Sequence, residues 1–219
     1  MNKKTLILIV VIVAVLIGVM IFSRRVEDNL NPDMIYEASE ETGGLPEKVI
    51  GDLNTAKVIL YEYADYACVH CAEWNTIINA LVEESDGKLA VVYRGYSLGL
   101  TDNDELVALA GTAAQVQGYW KEYKDLLFKN QSVWTSRDGE ALKYELGTYF
   151  AKASNQKGDT VRFMDDMMGS NAEIAKKVTF EHKLGKKIKL KGTPTFRIDG
   201  ENIETKRLKE IVAEKLANI

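Results

Sequence analysis

Only two cysteines, Cys68 and Cys71, occur in the 219-residue chain, and they flank Val69 and His70 where a strand pattern gives way to a helix pattern. That junction constrains the fold more than any other feature. Upstream, residues 58–63 (VILYEY) are rich in β-branched and aromatic side chains and read as a buried strand. Downstream, residues 72–82 carry apolar side chains at helical spacing, Asp86-Gly87 turns the chain, and residues 89–93 (LAVVY) read as a second buried strand. Strand, helix and strand of these lengths make a βαβ unit with parallel strands. A disulfide across two intervening residues removes little entropy from the unfolded chain. The pair therefore points to reactivity rather than bracing.

Past the second strand the pattern is helical, with segments at 104–118, 119–130, 138–152 and 159–183 broken near Gly118, Ser136 and Gly158. Residues 195–198 then read as a strand, Asp199-Gly200 as a hairpin turn, Asn202-Ile203 as the return strand, and 206–216 as a closing amphipathic helix. The order is βαβ, helical block, ββα. It predicts an α/β chain: a thioredoxin fold with a helical subdomain inserted at about 104–183. Domain boundaries are expected at 1–25 for an N-terminal anchor, 26–50 for a linker and 51–219 for the folded domain.

Three groups of residues carry a family resemblance. The stretch Glu62-Tyr63-Ala64-Asp65-Tyr66-Ala67-Cys68-Val69-His70-Cys71 resembles the active-site strand and motif of DsbA-like thiol–disulfide oxidoreductases, especially the membrane-anchored BdbD type. Gly192-Thr193-Pro194-Thr195-Phe196 resembles that family's cis-proline loop, and Gln115 to Trp120 with Asp125 to Phe128 resembles its inserted helices. By this resemblance Thr193-Pro194 places a cis bond beside the cysteines and leaves the Thr193 backbone to pair with a substrate strand. Glu62 matches a buried acid of the family, which relays the proton of Cys71 through water. The resemblance also implies a quinone-linked membrane reoxidase of the DsbB or vitamin K epoxide reductase type. No metal and no organic cofactor are implied. Two departures stand out: Val69 occupies a position commonly held by proline, and residues 94–98 lack the His and Pro often found after that strand.

The chemistry of the motif follows from its position. Cys68, leaving a strand and entering a helix, meets unsatisfied N–H groups and the positive end of the helix dipole. Both favour thiolate over thiol, and a protonated His70 adds a positive donor. Stabilising the reduced form raises the reduction potential, so such a pair gives its disulfide away. Cys68 is expected to be the attacked sulfur and Cys71 the resolving one. The expected activity is dithiol oxidation of reduced secreted or surface proteins. A reductase or isomerase on the same fold is one rival, since Val69 weakens the inference about potential. A non-catalytic binding or chaperone module is another. A structural zinc needs four ligands, and His182 is the only other histidine, so that reading requires a second chain.

Residues 6–22 form an unbroken apolar run after Lys3-Lys4 and before Ser23-Arg24-Arg25. As a helix it spans about 25 Å, enough for a thin bilayer core. No A-x-A pattern follows it, which favours an uncleaved anchor over a cleaved signal. The flanking charges nearly cancel, and the redox pair decides the orientation: disulfides persist outside the cytoplasm. The expectation is a single-pass cell-membrane protein with its domain on the extracytoplasmic side. Four of the 28 basic residues and none of the 32 acids fall within residues 1–25, so the remainder is more acidic than the net charge of −4. A nucleic-acid partner is not expected of such a surface. Lysines between 176 and 191 read as a solvated face, and Tyr119, Trp120, Tyr123, Phe128 and Trp74 as packing.

Overall fold

The computed structural model describes residues 2–28, 30–101 and 103–219, those of 22–28 in backbone only. Two compact units result, Met1–Pro32 and Asp33–Ile219. In the first, helix α1 (Lys3–Asp28) carries a stretch, Lys3–Ile21, of mean hydropathy 3.0, long and apolar enough to cross a membrane. Its apolar side chains from position 6 to 21 are exposed. The Arg24 and Arg25 flank, and Asn29 in the expected linker, lie outside the described side chains and residues respectively.

The second unit is built on a five-stranded sheet of order β1-β3-β2-β4-β5. The strands are β1 (Lys48–Ile50), β2 (Val58–Ala64), β3 (Leu89–Gly95), β4 (Thr195–Ile198) and β5 (Glu201–Ile203). Helix α2 (Val69–Glu84) joins β2 to β3, which run parallel with Tyr61 opposite Val92. The other three pairings are antiparallel. β3 is buried through Arg94 and β2 at all but Ile59, as strands covered on both faces must be. Asp199 and Gly200, at φ 51° and 83°, supply the left-handed pair that a two-residue hairpin turn needs.

Between β3 and β4 run α3 (Asp104–Val116), α4 (Trp120–Lys129), α5 (Gln131–Trp134), α6 (Gly139–Ala153), α7 (Thr160–Asp165) and α8 (Ala172–Lys187); α9 (Leu208–Ala217) closes the chain. The expected thioredoxin order with a helical insertion is the observed one. Trp120, Tyr123 and Phe128 are core residues, and Phe150 stacks on Phe163 with centroids 4.2 Å apart. A single apolar cluster runs from the sheet into these helices and includes both cysteines.

Three expectations need correction. The helix read over 159–183 is two, parted by a π-turn at Asp166–Ser170, because Gly169 adopts φ 93° and the Asn171 side chain accepts from Glu173 N–H to start α8 anew. The stretch 26–50 is not linker to its end. Residues 48–50 form β1, and Asp33, Met34 and Tyr36 are held by Arg197, Arg94 and Phe180. Finally, Lys177 is not on a solvated face. It is fully buried, within ion-pair distance of Glu47 and Glu181.

Candidate active site

β2 ends at Ala64, and a tight turn follows in which Cys68 N–H donates to the Asp65 carbonyl at 3.1 Å. The Asp65 carboxylate fixes this turn from within, accepting from Ala67 N–H at 2.9 Å, and ties it to the next loop through Leu98 N–H at 2.8 Å. Cys68 is the N-cap of α2, with extended backbone (φ −77°, ψ 120°) and no side-chain cap on the first-turn amides. Its sulfur is thus placed against the positive end of the helix. Both cysteines are free thiols here, and the Cys68 thiol donates to the Thr193 carbonyl at 3.2 Å. The Thr193–Pro194 bond is cis. Cys68 keeps 7% of its surface and Cys71 none, so of the two cysteines only Cys68 meets solvent.

Burial pushes the Cys71 thiol well above its ordinary value; the Asp65 backbone and the Thr193 hydroxyl oppose that rise, while Cys68 and Glu62 add to it. Released from a disulfide, this sulfur takes a proton. Glu62, buried on β2 between Tyr93 and Phe196, is pushed up to about 7 by desolvation, against the pull of Lys124. Lys124 is itself buried. It reaches from α4 to the Asn75 side-chain oxygen on α2 and lies 2.9 Å from Asp125, which also accepts from Asn75 and Asn79. Burial holds the Lys124 ammonium below its ordinary value, and Asp125 and Glu62 work against that.

An acid whose value rises on folding, here from 4.5 to about 7, favours the unfolded chain wherever it must ionise. Glu62 therefore costs nothing below about pH 4.5; its cost grows between there and about 7 and is complete above that. Glu62→Gln is expected to stabilise the protein at pH 8 by up to about 3 kcal/mol and not at all at pH 4. Urea unfolding at the two pH values measures this. A variant less stable than the parent at pH 8 would contradict the burial argument.

His70 stands apart from this buried set. Its ring is exposed, with Nδ1 3.0 Å from Glu73 Oε2 one turn along α2, and among the described residues it makes no hydrogen bond to either sulfur. Val69 beside it is exposed, and Trp74 packs edge-on against Phe196. The turn thus brings together Cys68, Cys71, Thr193 and Pro194, with Glu62 below. Asp65, Lys124 and Gln131 escaped the sequence reading, although Lys124 had a legible signal. It stands with Trp120, Tyr123, Leu127 and Phe128 on the buried stripe of α4, where a lysine is expected only if something pairs with it.

A protein-family model described as thioredoxin matches residues 45–214. Among solved structures, oxidised BdbD from Bacillus subtilis is 19% identical, with 85% of this chain and 100% of that one covered at a TM-score of 0.66. MdbA, a thiol–disulfide oxidoreductase from Actinomyces oris, is 19% identical over 86% and 94% of the two chains, TM-score 0.62. The thiol–disulfide exchange protein α-DsbA2 from Wolbachia pipientis is 21% identical over 80% and 90%, TM-score 0.61. Curated protein sequences give no match.

Proposed function

Because the chain belongs to the thioredoxin family and resembles its DsbA-like members, we propose that it is an extracytoplasmic thiol–disulfide oxidoreductase that donates a Cys68–Cys71 disulfide to reduced proteins. One observation carries this reading: an approachable sulfur at the head of α2, facing the carbonyl that precedes the cis-proline, with a second sulfur one turn deeper and sealed from solvent.

A substrate thiolate attacks Cys68 Sγ; the S–S bond breaks and its electron pair leaves on Cys71 Sγ. That sulfur takes a proton, and Glu62, near half-protonated at neutral pH, stands in the interior to supply it. A second substrate thiolate then attacks the substrate sulfur of the mixed disulfide, expelling Cys68. The substrate has lost two electrons and the enzyme is a dithiol. A membrane reoxidase of the DsbB or vitamin K epoxide reductase type, passing two electrons to a quinone, would restore the bridge. The edge offered by Thr193 and Pro194 would hold the substrate backbone in extended form. The apolar helix α1 supports a single-pass anchor with the catalytic domain outside, where disulfides persist.

Equilibrating the protein with glutathione buffers tests the direction of electron flow. An oxidase should lie at roughly −180 to −120 mV; a value near the ~−270 mV typical of thioredoxin would replace this reading with that of a reductase.

A further inference from the structure

Tyr66 and Cys68, on either side of Ala67 in the redox turn, are both gripped by the inserted helices. Gln131, the first residue of α5, is buried, and its Nε2 donates to the Tyr66 carbonyl at 2.7 Å and to the Cys68 carbonyl at 2.9 Å. A primary amide has two N–H bonds, so both are used. The Tyr66 hydroxyl accepts from Trp120 Nε1 at 3.0 Å, and its ring lies 5.5 Å from that of Phe128. Gly111 of α3 makes the room: a Cβ there would come within 2.5 Å of the Tyr66 hydroxyl.

We propose that Gln131 is a positioning residue for Cys68, through which the helical insertion sets the redox equilibrium of the two cysteines. The proposal deepens the oxidoreductase reading and rests on it. The Cys68 carbonyl also accepts from Cys71 N–H at 3.0 Å and Ala72 N–H at 3.2 Å, so three donors converge on one oxygen. Pinning that oxygen pins the peptide unit from which the Cys68 side chain springs. The sulfur is thereby kept in front of the uncapped amides and 3.2 Å from the Thr193 carbonyl. In the disulfide, the bond to Cys71 fixes the Cys68 sulfur whatever the turn does. In the dithiol, only the turn and its neighbours hold it. Loosening the turn costs the dithiol its preorganised surroundings and costs the disulfide less. Gln131 therefore stabilises the reduced form selectively, and its loss makes the protein a weaker oxidant.

Two variants of the full chain test this at pH 7. Gln131→Met keeps the length of the side chain without its donors; Gln131→Glu keeps its shape and replaces the donors with an acceptor. The equilibrium with reduced and oxidised glutathione is expected to shift about tenfold toward the disulfide in each, roughly the effect of one ordinary hydrogen bond. By linkage, the melting temperature of the reduced form should fall further than that of the oxidised form. A shift of about threefold or more toward the disulfide supports the proposal. A smaller shift, or one toward the dithiol, with both melting temperatures falling together, overturns it and leaves Gln131 a purely structural residue. Should Gln131→Met not fold, Gln131→Leu, which removes the donors and adds no charge beside the Cys68 sulfur, decides on the same numbers. If the parent protein itself does not exchange with glutathione, the oxidoreductase reading fails and the proposal falls with it; exchange by the parent with no shift in the variants overturns the proposal alone.

Discussion

Cys68→Ser is expected to reduce the oxidation of reduced test proteins to the uncatalysed background, a loss of at least about a thousandfold. Cys71→Ser is expected instead to be trapped in mixed disulfides with oxidised partner proteins, whose S–S bond the lone Cys68 thiolate attacks. The asymmetry follows from burial. A serine hydroxyl at position 68 cannot form the sulfur–sulfur bond that is transferred, and no other sulfur is within reach of a substrate, since Cys71 has no exposed surface. With serine at 71, the Cys68 thiolate can still attack a partner's disulfide, bonding to one partner sulfur while the other leaves as a thiolate. The buried group that would expel that partner on the reverse path is gone, so mixed disulfides persist. Non-reducing electrophoresis reads the trapped species, and recovery of activity by a reduced, unfolded disulfide protein reads the loss. Undiminished oxidation by Cys68→Ser would end the enzyme reading and leave a binding or chaperone module on this scaffold.

The parts of the fold written in apolar periodicity were legible. β2, α2, β3 and the β4–β5 hairpin could be placed because strands buried on both faces read as continuous apolar runs, and because Asp199-Gly200 permits few conformations. In the candidate site, Cys68 and Cys71 stood out because cysteines at a strand-to-helix junction restrict the chemistry, whereas Thr193 and Pro194 were singled out by family resemblance. What stayed hidden depends on pairing between distant segments. β1 has only three residues, and one of them, Lys48, is a buried cation that no period-two pattern would place in a core. Lys177 and Glu181 stand with Ile174, Phe180 and Leu184 on the buried stripe of α8. Their partners lie roughly 130 residues earlier in the chain. Gln131 sits in a four-residue helix, too short to have a face. Such positions become intelligible only when the chain is folded and each buried charge is asked where its partner is.

The largest stability effect is expected at one of these hidden positions. Glu181 accepts from Lys48 Nζ with both oxygens, at 2.7 and 2.9 Å, and from Gly95 N–H at 2.9 Å; Lys177 Nζ lies 3.6 Å away. Glu47, paired with Arg94 at 2.6 Å and Lys177 at 3.4 Å, completes a buried set of three cations and two anions joining β1, β3 and α8. Glu181→Ala would leave two desolvated ammonium groups sharing a single remaining carboxylate, and the half-buried Gly95 N–H without its acceptor. Breaking one side of a buried ionic cluster costs about 3–5 kcal/mol, a large share of the roughly 5–15 kcal/mol that holds an ordinary domain together. The urea midpoint is expected to fall by about 1.5 M. Glu181→Gln, which keeps an acceptor for Gly95 but loses the charge, should fall between. Although burial pushes the Glu181 carboxyl up, Lys48 and Lys177 more than offset it and hold the group below its ordinary 4.5. Its stabilising contribution is therefore complete above about pH 4.5 and is lost as pH falls through the lower folded value. The gap between parent and Glu181→Ala should accordingly stay open at neutral pH and close in acid. A midpoint within about 0.3 M of the parent's at pH 7 would mean that the cluster is relaxed by water, and that β1 is held to the sheet by its backbone alone.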